Sequence, residues 1–143
     1  MKMNFKFKNI HSCEAVVLAC IDFRFWKETV EFVQTELGIK DFDFPSLPGS
    51  AKAINEGSEL ALSCIKVPCD LHHAEKIVIV NHQDCGAYGG SAKFNGDVEM
   101  EQKFHEEELR KAKAKVLSIY LEKEVILIYA RLAGDEIEFL KIE

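Results

Sequence analysis

Proline is scarce in this chain, with three in 143 residues, and tryptophan occurs once. A proline-rich linker or a collagen-like repeat is thereby excluded. No apolar run approaches the roughly 18 residues that a membrane-spanning helix needs, so no membrane partner is expected. Positive charge is also short: 18 Lys and Arg face 24 Asp and Glu, a net charge of −6. That balance argues against nucleic acid as a partner. The first residues, MKMNFKFKNIHS, are basic but lack an apolar stretch, so they do not read as a secretory signal. There is no internal repeat and no low-complexity segment. The glycines at 86, 89 and 90 do not form a G-x-G-x-x-G fingerprint. His105-Glu106-Glu107-Glu108 lacks the second histidine of a His-Glu-x-x-His helix, since Leu109 stands there, and it reads as a solvated helix face.

What remains has the balance of an ordinary globule, 48% apolar and 29% charged. The length predicts one domain over residues 1–143, with 1–12 as an N-terminal tail. A chain of this size buries roughly 70% of its unfolded surface and folds without disulfide staples. Five cysteines, an odd number without an export signal, point to reduced thiols or metal ligands and to a cytoplasmic location.

The elements alternate. Glu14 to Cys20 is a nearly continuous apolar run, as in a strand covered on both faces. Trp26 to Leu37 has helical spacing, and Asp41 to Phe44 reads as a second strand. Ser58 to Lys66 predicts a helix that Pro68 breaks or kinks. Lys76 to Asn81 is the clearest strand. Val98 to Tyr120 predicts a long charged helix, made soluble by the Glu/Lys mixture from Glu99 to Lys115. Val125 to Ala130 predicts a strand that turns at Ala133-Gly134-Asp135 into an edge strand, Ile137 to Ile142. This order predicts an α/β fold: a doubly wound, mostly parallel sheet with helices on both faces and an antiparallel C-terminal edge strand.

In such sheets ligands collect beyond the carboxyl ends of the strands. Reactive residues stand at two of those ends. Cys20-Ile21-Asp22-Phe23-Arg24 follows the first strand and His82-Gln83-Asp84-Cys85-Gly86 follows the third. If the two strands are neighbours, Cys20, His82 and Cys85 converge. Two thiolates and an imidazole suit Zn2+, with Zn–S about 2.3 Å and Zn–N about 2.1 Å. Gly86 lets the backbone turn sharply beside the His-x-x-Cys pair. Asp22 is available as a fourth ligand in a closed state, and Arg24 has the donor fork to hold it off the metal. A buried thiol pair, a structural Asp22–Arg24 ion pair, and a redox pair of Cys20 and Cys85 are the competing readings.

Cys-x-Asp-x-Arg, followed about sixty residues later by His-x-x-Cys-Gly, resembles the β-class carbonic anhydrases. The resemblance runs from Glu14 to the C-terminal hairpin. It implies a zinc site of Cys20, His82 and Cys85 and a catalytic dyad of Asp22 and Arg24. It implies reversible hydration of CO2 to bicarbonate, carried out at zinc-bound water, by a homodimer or higher homo-oligomer. Two zinc-bound thiolates predict activity that rises toward alkaline pH.

The chain departs from the family pattern in having Phe23 where Ser is common. It has Ser46-Leu47-Pro48-Gly49-Ser50-Ala51 where Arg-Asn-Ala-Gly is common. Only 19 residues precede Cys20, too few for the N-terminal helices of the family. Phe23, Phe32 and Gly86 are the expected pocket residues. Two alternatives stand beside CO2 hydration: hydrolysis of CS2 or COS at the same zinc, and a non-catalytic protein with a structural metal. Cys13, Cys64 and Cys69 read as packing residues. A second metal site using His72 or His73 with Cys64 and Cys69 is not favoured.

Overall fold

A computed structural model describes residues 1–143. The elements are β1 (Ala15–Leu18), α1 (Trp26–Thr35), β2 (Phe42–Asp43), α2 (Ala51–Asn55), α3 (Glu59–Leu71), β3 (Lys76–His82), α4 (Val98–Leu117), β4 (Glu124–Ala133) and β5 (Glu136–Ile142). Two short 3-10 turns, Gly86–Tyr88 and Ser91–Phe94, lie between β3 and α4. Residues 1–10 form no regular element.

The sheet order is β2-β1-β3-β4-β5. Strands β1 to β4 pair in parallel and β5 joins β4 antiparallel, as the alternating pattern predicts. The chain leaves β1 for one neighbour and later returns to its other side as β3. Strand order therefore reverses between β1 and β3, and the loops beyond their carboxyl ends are where such folds collect ligands.

Side chains alternate across a strand, so β1 and β3 feed two cores. Val16, Leu18, Ile77 and Ile79 face α2, α3 and α4, where Ile54, Ile65, Leu109 and Val116 are buried. Ala15, Val17, Ala19, Val78 and Val80 face α1, where Val33 is buried with Ile39 just beyond it. All four β1 residues are fully buried, which is why that strand reads as an unbroken apolar run.

Helices α3 and α4 start on side-chain caps. Ser58 Oγ accepts the Ala61 N–H at 3.3 Å to open α3, and Asp97 accepts the Met100 N–H at 3.0 Å to open α4.

Two expectations are corrected here. Helix α3 does not stop at Pro68; it runs on to Leu71. Proline removes only its own N–H bond, while the Pro68 carbonyl accepts from His72 and Ala74, both at 3.1 Å, and Pro68 and Cys69 are buried against the core. Nor is the Glu/Lys stretch of α4 solvated throughout. Glu101 is 1% exposed and His105 is fully buried. The Asn81 amide of β3 lies 3.1 Å from His105 Nδ1 and draws that ring into the core.

Candidate metal centre

Beyond β1 the chain bridges once more, Ala19 to Ser46, before Cys20. Strand β3 ends on His82, and Cys85 follows a turn in which Asp84 takes the left-handed conformation, φ 57°. The sharp turn is thus made at Asp84, not at Gly86, whose φ is not positive and whose missing Cβ would meet nothing within 4 Å.

The structure brings Cys20, His82 and Cys85 together. Their ligand atoms lie within 4.8 Å of one another, the two sulfurs 3.8 Å apart, and all three residues are buried. His82 Nδ1 lies 2.7 Å from the Gln83 carbonyl, which makes it the N–H tautomer. Nε2 then carries the lone pair, is buried, and has no hydrogen-bond partner. A buried lone pair without a donor is costly unless something fills its position. The Phe25 ring stacks on the imidazole at 4.2 Å and fixes its plane.

The electrostatics favour a bound cation. The hydrogen bond with the Cys85 thiol, helped by His82 and the Gly49 N–H, lowers the Cys20 thiol to about 4. The same contact, with burial, raises Cys85. Without a cation the two sulfurs share one proton. The set of two sulfurs, a correctly tautomerised imidazole and a carbonyl behind its second nitrogen fits zinc. Gly49 reaches this sulfur because it is glycine: its φ is +76°, and a Cβ would meet Lys52 Cβ at 2.9 Å and Ala87 Cβ at 3.1 Å. The Gly49 N–H lies 3.4 Å from Cys20 Sγ.

Asp22 stands beside the cluster and outside it, with Oδ2 3.9 Å from His82 Nε2. Arg24 grips it. Nη2 donates to Oδ2 at 2.6 Å, Nε to Oδ1 at 2.9 Å, and the backbone N–H of Arg24 to Oδ1 at 3.0 Å. This grip lowers the Asp22 carboxyl to about 2. Arg24 also spans to the other loop, donating to Asp84 Oδ2 at 3.0 Å and to the Asp84 carbonyl at 3.1 Å. Asp84 is lowered in turn, chiefly by the Ser91 N–H and then by Arg24.

The expected apolar wall is placed differently. Phe23 is 82% exposed. Phe32 stacks on Phe139 at 4.5 Å and packs into the α1-side core, because the α1 residues facing the sheet include position 32. The aromatic neighbours of the cluster are instead Phe25, Tyr88 and Phe104. Sequence reasoning missed Phe25, Gly49 and Glu101. The glycine in the Pro48-Gly49-Ser50 turn was the one available signal, since such a turn opposite a reactive thiol offers a backbone N–H. Nothing in the local pattern marked Phe25 or Glu101.

A protein-family model described as "Putative carbonic anhydrase" matches residues 10–140. The chain belongs to this family. Among solved structures, the β-carbonic anhydrase isoform I of Trichomonas vaginalis superposes with a TM-score of 0.62 at 16% identity, covering 98% of this chain and 87% of that one. One of two tetrameric β-carbonic anhydrases from Sordaria macrospora superposes with a TM-score of 0.53 at 13% identity, covering 91% of this chain and 81% of that one. At such identities the likeness is one of fold, and the fold is that of the β-carbonic anhydrases. An uncharacterized protein of Rickettsia bellii is 33% identical over 87 residues, 57% of this chain and 52% of the relative. The chain therefore spans about half the length of that curated relative. No helix is long and apolar enough to cross a membrane.

Proposed function

We propose that this chain is a zinc-dependent carbonate dehydratase that interconverts CO2 and bicarbonate. Cys20, His82 and Cys85 hold Zn2+, and Asp22 and Arg24 serve the reaction. The observation that carries the reading is the pairing of an orphaned His82 Nε2 beside two sulfurs with an Asp22 carboxylate gripped by Arg24.

Zinc, when bound, supplies a Lewis acid that ionises water near neutral pH. The chain's own residues do the rest. Cys20 and Cys85 give negative charge to the site, and the Gln83 carbonyl holds His82 in the ligating tautomer. Asp22, kept ionised by Arg24, stays a hydrogen-bond acceptor across physiological pH and orients the attacking water toward CO2. Arg24 ties the two loops so that this carboxylate keeps its distance from the sulfurs.

None of the five cavities of the chain is lined by Cys20, His82 or Cys85. Beside the cluster, Ile21 and Phe23 on the loop after β1 and Trp26 at the start of α1 are exposed. These two facts support a homodimer or larger homo-oligomer in which a second copy completes the substrate wall. The tetrameric relatives of Sordaria macrospora are in keeping with that assembly. The same lack of a cavity favours, as a second reading, a metal kept for stability without catalysis. We place the protein in the cytoplasm, where its thiols stay reduced, as one zinc-binding unit.

Stopped-flow CO2 hydration by zinc-loaded protein tests the proposal. Wild type should be active, and Cys20→Ser and Asp22→Asn should each lose most of the rate. A zinc-loaded wild type that is inactive toward CO2 at every pH overturns it. Parallel assays with CS2 and COS separate a different substrate from a purely structural metal.

A further inference from the structure

A second cluster of metal-ligating residues lies at the opposite end of β1. Cys13 precedes the strand, Asp43 belongs to β2, and His72 caps α3. Their ligand atoms also lie within 4.8 Å of one another. Asp43 Oδ2 is 2.6 Å from His72 Nδ1 and 3.7 Å from Cys13 Sγ. Three separate pieces of chain supply the three groups, and the backbone holds two of those pieces together: the Cys13 N–H donates to the His72 carbonyl at 3.0 Å. The third is fixed by strand pairing, with Asp43 in register with Val16.

We propose that Cys13, Asp43 and His72 form a second metal site that takes a borderline divalent cation, Zn2+ in preference to Mg2+ or Ca2+. The donor set of one thiolate, one imidazole and one carboxylate selects the ion, since Mg2+ and Ca2+ call for oxygen donors. The site opens into a cavity of about 340 Å³ that His11 also lines, so the fourth position falls to His11 or to water. A nucleophilic triad is the rival arrangement, but there the imidazole sits between thiol and carboxylate. Here the carboxylate oxygen sits between the other two. The Cys13–Asp43 spacing matches the edge of a zinc tetrahedron, about 3.4–3.8 Å from the bond lengths of zinc. The His72–Asp43 spacing is shorter, so the ring swings outward by roughly 1 Å as its hydrogen bond to Asp43 is replaced by two metal bonds. On binding, the Cys13 thiol proton is released to solvent, and the His72 proton that Nδ1 donates to Asp43 moves to Nε2, which leaves the Nδ1 lone pair for the metal. Cys20 lies seven steps along the chain from Cys13, roughly 23 Å when extended, so the two sites fill independently.

Metal titration of the full reduced chain, freed of metal by a chelator, decides the matter. Zn2+ is followed by atomic absorption after desalting, and Co2+ by its visible bands. Wild type should bind about two equivalents, Cys13→Ser/His72→Ala about one, and Cys20→Ser/Cys85→Ser about one. In the last variant the Co2+ bands should show a single thiolate. Alkylation of the unsubstituted protein, mapped by peptide mass, gives a readout free of folding artefacts. The second equivalent of zinc should slow modification of Cys13 at least tenfold. One equivalent in wild type that disappears with Cys20→Ser/Cys85→Ser overturns this site and leaves the carbonate dehydratase site standing. A second equivalent that persists in Cys13→Ser/His72→Ala, or that leaves Cys13 unprotected, overturns it as well.

Discussion

Glu101 Oε1 accepts the backbone N–H of Asp84 at 2.7 Å, from the first turn of α4 to the loop that carries Cys85. Its other oxygen accepts from Ser91 Oγ, also at 2.7 Å. Glu101 thus braces the turn on which Arg24 leans. Glu101→Ala removes the shared acceptor of two partly buried donors and should destabilise the protein by about 1–3 kcal/mol. Urea unfolding measures the loss. A change below about 0.5 kcal/mol would show that this brace is idle.

Arg24 has a more local effect. Arg24→Ala leaves Asp22 without its grip, so the carboxyl should rise from about 2 toward the ordinary aspartate range. Partners of this kind, one step removed from a metal, usually matter by 10–100-fold in rate. We expect that loss in CO2 hydration at unchanged zinc content. Carboxyl NMR titration of Asp22 follows the shift directly.

Chelation should weaken the fold. The cation would leave behind two buried sulfurs and an orphaned imidazole nitrogen, and metal affinity is folding free energy when the unfolded chain does not bind. Scanning calorimetry should show a lower Tm with chelator in wild type. Cys20→Ser/Cys85→Ser should lose the part of that shift that belongs to this site.

His105 adds a pH dependence. Burial, first, and the nearby His82 lower its pKa from 6.5 to about 4. Facing it are Glu101 and Glu108 on its own helix, Tyr88, Lys93 of the second 3-10 turn, and Tyr129 of β4. The unfolded chain takes up the proton below about 6.5, while the folded chain refuses it until about 4. Stability therefore rises with pH across that window and is lost as pH falls through it. The span of about 2.5 units corresponds to at most about 3–4 kcal/mol. His105→Gln keeps an acceptor for Asn81 and does not titrate, so its unfolding free energy should fall less than that of wild type between pH 6.5 and 5. Parallel curves for the two proteins would refute the assignment.

The sheet was legible because its strands are buried on both faces and announce themselves as apolar runs. The order of elements and the two reactive loops followed from that. Helix α2 was not legible. The residue that precedes it, Ser50, is buried with φ +50° and donates to the Leu18 carbonyl at 3.1 Å, a tertiary contact with no local signature. Asn81 supports the same helix from β3, accepting the Ala51 N–H at 3.2 Å. The burial of His105 was hidden for a related reason. A helix rich in Glu and Lys looks solvated on every side, and only its partner on β3 shows which turn is drawn inward. Cys13 looked like filler until Asp43 and His72, distant in the chain, arrived beside it.

Strand β1 is four residues long and has a different core on each side. One residue inserted or deleted within it would exchange the two faces. Val16 and Leu18 would trade places with Ala15 and Val17, and Cys20 would be carried to the wrong side of the sheet. Packing and chemistry thus share a single reading frame in this strand. A substitution there disturbs one core at one point, whereas a change of length shifts the whole strand, so β1 should be the segment of the chain least tolerant of insertion or deletion.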